Sequence, residues 1–391
     1  MRISNEFQEK FNSMLSNRIT MLGVGPMSYR VVEETIKLAN ECRRPIALIP
    51  SRRQVECREL GGGYVESWAT EDFAPFVRKR DVGNFIYLSR DHSGPWQLNP
   101  RDKCGEVLSH RQAMAEVKNS LSVDIEAGFD ILHIDPSMGL GFGRSELEVL
   151  EDAIELFDFC TSHSKASDQI FEVGADEQSM VPDLPSIAEQ KLNSFIAMLN
   201  SAGLVKPMFY VLQTGTKVKE MRNVGSFATH FPVRDMLAPA FQIPEIMKIC
   251  SKYGMYLKEH NADYLPNESL SWHRRFAIPA ANVAPEFGVV ETRSILKLAR
   301  ENNLTWFVDR FSNHVLDGMK WAKWMMNDSS ATDQDKVEIA GHYHFADKEI
   351  MDLTKKLILE LKVKQIDFEN IVRSAIRSSI SRYLFYFGYY D

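Results

Sequence analysis

Eight short apolar runs, rich in β-branched residues, alternate along this chain with longer stretches of helical periodicity. The runs cover residues 19–22, 45–50, 84–88, 131–134, 169–173, 207–212, 255–258 and 275–279. Short buried strands that alternate with helices are typical of a parallel sheet joined by crossover helices. Eight such units are the number that closes a barrel. The sequence therefore predicts an α/β fold, a (β/α)8 TIM barrel.

The chain is long enough for this barrel and for additional helices. Amphipathic stretches at residues 27–42, 106–127, 145–163 and 187–202 are each long enough to connect two parallel strands. The last unit is expected to end near residue 303, and the remaining residues have helical periodicity with a polar interruption at 327–335. We therefore expect a catalytic barrel over residues 1–303 and a C-terminal helical extension over residues 304–391.

The composition argues against nucleic acid and membranes as partners. The formal net charge is -7, and no acidic or basic block stands out. No run of 18 apolar residues occurs, and the first residues lack the apolar core of a signal peptide. The five cysteines are scattered and never form a CxxC pair, which argues against a disulfide framework and a cysteine zinc site. We expect a cytoplasmic protein that acts on a small molecule.

Polar side chains follow the predicted strands. In a (β/α)8 barrel the catalytic groups lie on the loops at the carboxyl ends of the strands. The residues found there are Asp91, His92, Asp135, Glu172, Asp176, Glu177, Gln213, Glu259, His260, Asp263 and Asn282. The sequence therefore predicts an active site at this end of the barrel.

Two histidines in this set predict a divalent metal site. His92 follows the third strand beside Asp91, and His260 follows the seventh strand, so both imidazoles would reach one barrel mouth. Imidazoles with a carboxylate such as Glu172 suit zinc or a similar divalent ion that keeps open positions for substrate. Taken alone, Asp91 also fits a turn cap and His92 a hydrogen-bonded loop residue.

Other polar residues have less defined interpretations. Asp176 and Glu177 are predicted to act on substrate protons, and a solvated acidic loop is the alternative. His133 is assigned to the core, because strand alternation is taken to turn it away from the mouth residues. His342 and His344 lie in the extension, so packing or surface roles are expected.

Several segments, taken in order, resemble one enzyme family. The matching segments include Gln54-Val55 with Gly61-Gly62-Gly63-Tyr64, Asp91-His92-x-Gly94-Pro95, Ala127-Gly128-Phe129, His133-Ile134-Asp135-x-Ser137-Met138, Val173-Gly174, Gln213-x-Gly215, His260-x-x-Asp263-Tyr264 and Phe276-Ala277-Ile278. They resemble the large-subunit (Z-type) tagatose-1,6-bisphosphate aldolases, a family related to the class II fructose-bisphosphate aldolases. The resemblance implies a barrel fold and a metal-dependent aldol reaction on a sugar phosphate.

The resemblance also implies residue roles. Asp91 matches the general acid/base, and His92 and His260 match metal ligands. Glu172 lies where the related enzymes carry a glutamate near the metal. Asn282 matches a loop that contacts substrate in the relatives.

Two departures from the family pattern affect the metal and phosphate sites. The relatives carry a histidine ligand after the sixth strand, where this chain has Gln213. Their Gly-Ser-rich phosphate loop is replaced here by Asn261-Ala262-Asp263-Tyr264. The residues predicted to bind substrate are Gln54, Asp135, Gln213, Asn282, Arg52 and Lys217, with Arg53 and Arg222 as further candidates for contact with phosphate.

The leading functional prediction is a zinc-dependent class II aldolase that forms or cleaves a carbon–carbon bond in a ketose phosphate. Dihydroxyacetone phosphate is a candidate for one half of that substrate. A metal-dependent sugar-phosphate isomerase or epimerase is the first alternative, because an enediolate beside a metal also serves proton transfer. A non-catalytic subunit that stabilises a partner aldolase is the second. We expect a homo-oligomer, and a complex with another aldolase subunit stays open.

Overall fold

In the part of the chain that the structure describes, ten strands form a barrel and a small hairpin. The computed structural model describes residues 5–102, 104–163, 169–174, 180–229 and 239–390. The strands are β1 (Met21–Val24), β2 (Ile46–Leu48), β3 (Ile86–Ser93), β4 (Ile131–Ile134), β5 (Ile170–Val173), β6 (Phe209–Val211), β7 (Val218–Lys219), β8 (Arg222–Asn223), β9 (Tyr256–Glu259) and β10 (Ala280–Val283). β7 and β8 pair antiparallel with each other. The other eight strands form a closed parallel barrel, which confirms the predicted (β/α)8 fold.

Helices connect the barrel strands and continue beyond the last of them. They are α1 (Asn5–Ser16), α2 (Tyr29–Cys42), α3 (Thr70–Arg80), α4 (His110–Glu126), α5 (Glu146–His163), α6 (Pro185–Ser201), α7 (Ser226–Thr229), α8 (Pro239–Lys252), α9 (Asn267–Phe276), α10 (Pro285–Glu301), α11 (Thr305–Asp317), α12 (Asp333–Ala340), α13 (Lys348–Val363) and α14 (Phe368–Tyr386). α4 shows why such a helix begins where it does. The Ser109 hydroxyl accepts from Gln112 N–H, and the Gln112 side chain accepts from Ser109 N–H, so two helix-end donors are satisfied.

The predicted position of the eighth barrel strand was wrong. Residues 275–279 lie in the last turn of α9 and in the turn after it, and the strand begins at Ala280. Ala277 ends α9 in the left-handed region, with φ 56°. Asn282 therefore lies within β10 and not on a loop after it. The other seven predicted runs each overlap a barrel strand.

Helix α1 closes the amino-terminal end of the barrel. The Phe7 ring packs edge-on against Tyr87, with ring centroids 4.5 Å apart. The Phe11 ring lies 5.3 Å from the rings of both Phe209 and Tyr256. All three partners stand near the beginnings of their strands, so α1 packs apolar rings across this end. The carboxyl ends of the strands are the end at which a site is expected.

The C-terminal helices pack on the barrel. α14 lies against α10 and α2, which flank it in the outer layer. Beyond α14, the Tyr389 hydroxyl accepts from Leu22 N–H at 3.0 Å and donates to the Pro45 carbonyl at 2.6 Å. The boundary near residue 303 stays a prediction. Within the described ranges, no helix is long and apolar enough to cross a membrane.

Candidate metal centre

An irregularity in β3 brings two consecutive side chains to the barrel mouth. The pairing of β3 with β4 shifts register between Arg90 and Ser93, and His92 has φ 49°, in the left-handed region. In a regular strand, neighbouring side chains point to opposite faces. The irregularity lets Asp91 and His92 enter the same cluster. Gly94 is required beside it, because a Cβ there would lie 1.8 Å from the Asp135 carbonyl oxygen.

Three imidazoles and one carboxylate converge at this mouth. We call Asp91, His92, His133 and His260 the mouth cluster; one potential ligand atom from each lies within 4.8 Å of the others. The imidazole ring centroids form a nearly equilateral triangle. The separations are 5.2 Å for His92–His133, 5.1 Å for His92–His260 and 5.1 Å for His133–His260.

One nitrogen of each imidazole is held by an acceptor outside the cluster. His92 Nδ1 lies 2.8 Å from Asp135 Oδ2, His133 Nε2 lies 3.0 Å from the Gly174 carbonyl oxygen, and His260 Nε2 lies 2.7 Å from Glu172 Oε1. Each contact fits an N–H that donates outward, which leaves the lone pair on the second nitrogen. Such outer acceptors fix the tautomer and orientation of histidines that bind metals.

The second nitrogens face Asp91 at distances longer than ordinary hydrogen bonds. His92 Nε2 lies 3.5 Å from Asp91 Oδ2, and His133 Nδ1 and His260 Nδ1 lie 3.6 Å and 4.0 Å from Asp91 Oδ1. His133 Nδ1 also accepts from His92 N–H at 3.2 Å. Burial raises the pKa of Asp91, but the imidazoles, His92 foremost, outweigh this effect and lower it to about 2.

Glu172 and Lys258 form a buried ion pair beneath His260. Lys258 Nζ lies 2.5 Å from Glu172 Oε2, and both side chains are almost fully buried. Burial raises the pKa of Glu172, but Lys258 and the imidazoles of His133 and His260 lower it well below its usual range. Glu172 thus connects a cation on one side to an imidazole on the other. Lys258 was not predicted from the sequence, although it stands two residues before His260, at the end of β9, and residues two apart on an extended chain share a face.

Asn282 completes the mouth from β10. Its Nδ2 lies 3.4 Å from Asp91 Oδ1 and 3.2 Å from His260 Nε2. Among the described residues its Oδ1 has no hydrogen-bond partner although it is buried, which is costly unless a ligand satisfies it. Gly23 makes room for this amide, since a Cβ there would lie 2.2 Å from Asn282 Oδ1.

His133 lies in the core and is hydrogen-bonded, as predicted, but the prediction that it faces away from the mouth residues was wrong. The side chain is fully buried, yet its Nδ1 belongs to the mouth cluster. Residues two apart on a strand share a face, so His133 points to the same side of β4 as Asp135. Asp135 was predicted to bind substrate, and it lies behind His92 as the acceptor of its Nδ1.

The structure also corrects the prediction for Arg52. Its side chain is fully buried, with Nε 2.7 Å from Glu56 Oε2 and Nη2 3.1 Å from Glu116 Oε1. Both carboxylates already satisfy the guanidinium, so it cannot meet a substrate phosphate. His342 and His344 are buried, which makes their role in the extension one of packing.

The remaining predicted residues lie around the mouth or outside the described residues. Gln54 is buried, and its Oε1 accepts from Ser51 N–H at 2.8 Å. Gln213 follows β6, and its backbone N–H donates to Asp183 at 3.1 Å. Lys217 precedes β7, and its backbone N–H donates to Asn223 Oδ1 at 3.2 Å. Their roles in substrate binding stay predictions. Asp176 and Glu177 lie outside the described residues.

A second group of potential ligands lies in the C-terminal helices. We call His314, His344 and Asp347 the extension cluster. Asp347 Oδ2 lies 2.9 Å from His314 Nε2 and 2.6 Å from His344 Nδ1. Burial raises the pKa of Asp347, but the hydrogen bonds with both imidazoles lower it overall. One carboxylate oxygen therefore serves two imidazoles directly.

Comparison with known proteins supports the fold. No family model and no curated protein matches the chain. A structure described as a probable tagatose 6 phosphate kinase from Sinorhizobium meliloti is 17% identical, with a TM-score of 0.71 over 94% of this chain and 100% of that one. The fructuronate-tagaturonate epimerase of Cohnella laeviribosi is 12% identical, with a TM-score of 0.57 over 95% of this chain and 82% of that one.

A fructose-bisphosphate aldolase from Campylobacter jejuni also matches, at 10% identity and a TM-score of 0.48 over 92% of this chain and 94% of that one. That score is too low to support an argument. At these identities the likenesses show the barrel fold alone. Membership of the Z-type family stays a prediction.

Proposed function

We propose that this protein is a divalent-metal-dependent enzyme of the class II aldolase type, which cleaves or forms a carbon–carbon bond in a ketose phosphate. The observation that carries the proposal is the mouth cluster. Three imidazoles there each direct one nitrogen toward an ionised carboxylate, over distances that leave room for an ion. The sequence resemblance supports the reaction type.

The donor set fits a zinc-like ion. His92 Nε2, His133 Nδ1 and His260 Nδ1 would hold it, with His133 Nδ1 giving up its 3.2 Å contact with His92 N–H to bind the ion, since three imidazoles with an open position are a common catalytic set for zinc. His133 takes the place of the sixth-strand histidine of the relatives, for which this chain has Gln213. Asp135, the Gly174 carbonyl and Glu172 provide the outer acceptors. When bound, such an ion supplies Lewis acidity toward the negative charge that develops at a substrate carbonyl.

Asp91 is the proton acceptor in this proposal. Cleavage of an aldol bond requires a base for the hydroxyl on the scissile carbon, and condensation requires that proton to be returned. The Asp91 carboxylate faces one nitrogen of each imidazole at 3.5–4.0 Å, so it would lie beside the bound ion and the substrate hydroxyl. Asn282 would bind a substrate hydroxyl through its unpartnered Oδ1.

Glu172 and Lys258 position His260. Glu172 Oε1 holds His260 Nε2 at 2.7 Å, and Lys258 neutralises the other carboxylate oxygen at 2.5 Å. This assignment differs from the sequence-based expectation that Glu172 is itself a metal ligand. A carboxylate already shared between an ammonium and an imidazole acts more simply as an outer partner.

An epimerase is the second candidate function. The structure described as a fructuronate-tagaturonate epimerase matches the fold of this chain with a TM-score of 0.57. The chemistry is compatible, because cleavage followed by bond formation on the opposite face of the carbonyl inverts one centre. The same base and the same metal site would serve both reactions.

Product analysis tests the proposal. Metal-replete protein is incubated with ketose phosphates and with hexuronates, and the products are followed by NMR, with Asp91→Asn as the control. Separated fragments support an aldolase, and inversion without fragments supports an epimerase. Protein that retains no stoichiometric metal, and gains neither activity nor a thermal shift when divalent ions are added, would contradict both.

A further inference from the structure

The C-terminal extension reaches the loops at the barrel mouth. The Tyr343 ring packs edge-on against Tyr64, with centroids 4.9 Å apart. Glu220, in the turn of the β7–β8 hairpin, donates its backbone N–H to the Trp324 carbonyl at 3.1 Å. Lys219 Nζ donates to the Lys323 carbonyl at 2.8 Å. Residues that follow β2 and β6 therefore contact the extension directly.

Lys323 places a cation at this junction. Its ammonium lies 4.8 Å from the Tyr343 ring centroid and 5.0 Å from that of Trp324. Trp324 Nε1 donates to the Tyr343 hydroxyl at 3.2 Å, which fixes the two rings relative to each other. Within the described part of the chain, no carboxylate forms an ion pair with Lys323.

Arg53 supplies a second cation from the barrel. It follows Ser51, which bridges to Asp91, and its Nε donates to the Gln97 carbonyl at 2.9 Å. Gln97 in turn donates from Nε2 to Asp135 at 3.3 Å, so Arg53 borders the loops that support the mouth cluster. Arg53 is exposed, and it forms no ion pair with any carboxylate whose position is described.

Arg53 and Lys323 adjoin the same pair of rings, because the Arg53 carbonyl accepts from Tyr64 N–H at 2.9 Å and the Tyr64 ring packs on the Tyr343 ring that Lys323 covers. Lys323 is exposed as a residue, but its ammonium is partly desolvated against the Trp324 and Tyr343 rings; this desolvation, and then the positive charge of Arg53, lower the pKa of Lys323 to about 8. Like charges brought together without a counter-charge destabilise one another. Lys336 provides the contrast in the same extension: its ammonium lies 4.9 Å from the Trp321 ring but is paired with Asp333 at 2.8 Å.

We infer that Arg53 and Lys323 form an anion subsite, which binds the charged end of the sugar whose reacting end faces Asp91. That the bound molecule is a sugar rests on the proposed function. That an anion binds here rests on the two cations, which have no ion-pair partner among the described residues. A phosphate monoester and a carboxylate share the required chemistry. In this arrangement the extension supplies half of the subsite, and the barrel alone would lack it.

Calorimetric titration with inorganic phosphate and with acetate tests the inference. Full-length protein is compared with Lys323→Met, Arg53→Gln and the matched control Lys336→Met, and each variant is checked by its melting temperature. We expect Lys323→Met and Arg53→Gln each to weaken anion binding by about 10-fold or more, since each removes one charge-assisted contact. Lys336→Met should bind as wild type does, and Lys323→Arg should retain most of the affinity.

A second set of titrations separates this subsite from the metal centre. All titrations are repeated in a His133→Gln background treated with chelator, because phosphate could also bind a metal ion. Binding that persists there and depends on Lys323 supports the subsite even if the proposed catalytic function fails. Selective binding of phosphate would indicate a phosphorylated sugar, and selective binding of acetate a sugar acid. Absence of binding, or equal losses in Lys336→Met and Lys323→Met, would overturn the inference.

Discussion

The mouth cluster and the extension cluster contain the same kinds of side chain in opposite arrangements. In the extension cluster, Asp347 lies within 2.6–2.9 Å of two imidazole nitrogens, so the group is closed by its own hydrogen bonds. In the mouth cluster, the corresponding distances from Asp91 are 3.5–4.0 Å. Hydrogen bonds of imidazole with carboxylate are ~2.7–3.0 Å long, so the mouth cluster is too open to satisfy itself.

The outer contacts explain this difference. In every imidazole of the mouth cluster, the nitrogen that points away from Asp91 is fixed by an acceptor behind the ring. This contact holds the rings apart from Asp91. In the extension cluster the outer contacts are weaker among the described residues: His314 Nδ1 lies 3.4 Å from Glu349 Oε2, and His344 Nε2 has no hydrogen-bond partner. The same residue types therefore stabilise the packing of helices in one place and prepare a binding site in the other. Residue identity alone does not separate the two cases.

The largest expected effect is on kcat, and it should distinguish Asp91 in the mouth cluster from Asp347 in the extension cluster. Asp91→Asn should lower kcat by about 10²- to 10⁴-fold, because it keeps the size of the side chain and removes the proton acceptor. Asp347→Asn should leave kcat close to the wild-type value. Steady-state kinetics on the substrate identified by NMR, with metal content measured in parallel, provides the comparison.

Two outcomes would change this interpretation. A near-normal kcat in Asp91→Asn would show that Asp91 is not the base, and Asp176 or Glu177 would become the candidates. If Asp91→Asn alters no activity but weakens association with a second aldolase chain, the hypothesis of a non-catalytic subunit is favoured.

Metal binding should separate the histidines of the two clusters. His92→Ala and His133→Gln each remove a proposed ligand, so the metal affinity should fall by more than the about 10- to 100-fold typical of losing an outer partner. His314→Gln should retain the wild-type stoichiometry. Elemental analysis after gel filtration, followed by competition with a chromophoric chelator, measures both. If only His314→Gln loses metal, the extension cluster and not the mouth cluster is the metal site.

For the free energy of unfolding the order of the two clusters should reverse: a substitution in the extension cluster should lower it more than one in the mouth cluster. Asp347→Ala leaves the buried His344 without its hydrogen-bond partner, and we expect a loss of about 1–3 kcal/mol in the free energy of unfolding. Asp91→Asn should leave the melting temperature of metal-replete protein nearly unchanged. Chemical denaturation of both variants tests this. An Asp347→Ala protein as stable as wild type would show that the extension cluster does not support the fold.

Much of the barrel could be predicted from the sequence, because its strands are short apolar runs and its helices are amphipathic. The eighth strand was misplaced because residues 275–279 are apolar enough to resemble a strand, whereas Ala280-Ala281 is a weak strand signal. In the structure α9 ends at Ala277 in the left-handed conformation, and the Glu259–His273 contact of 2.6 Å holds α9 against β9. Such a contact between separate elements is not visible in local periodicity.

The site was predicted in part. Asp91, His92 and His260 were identified from their positions after strands and from the family resemblance, and the structure brings them together. His133 could have been placed at the mouth, because it stands two residues before Asp135 and therefore shares its face of the strand. The alternation of side chains along β4 was misjudged. Lys258 was overlooked within an apolar strand. The joint entry of Asp91 and His92 depends on the register shift of β3 against β4, which involves a distant strand and has no local sequence signal.

The smallest expected effect is a pH dependence of stability that belongs to the extension and not to the mouth. His342 is buried beside Gly288, and burial, aided by the positive charge of Lys323, lowers its pKa to about 3. In the unfolded chain the pKa of histidine is ~6.5, so between these values the unfolded state binds the extra proton. Stability should therefore fall as the pH drops below ~6.5.

From pH ~7 to ~5.5, the free energy of unfolding of wild type should fall by about 1 kcal/mol more than that of His342→Gln, which has no imidazole to protonate. Urea denaturation of both proteins at the two pH values measures this difference. Equal losses would mean that His342 is protonated as easily in the folded protein as in the unfolded chain, and that the extension packs less tightly around it than the structure indicates.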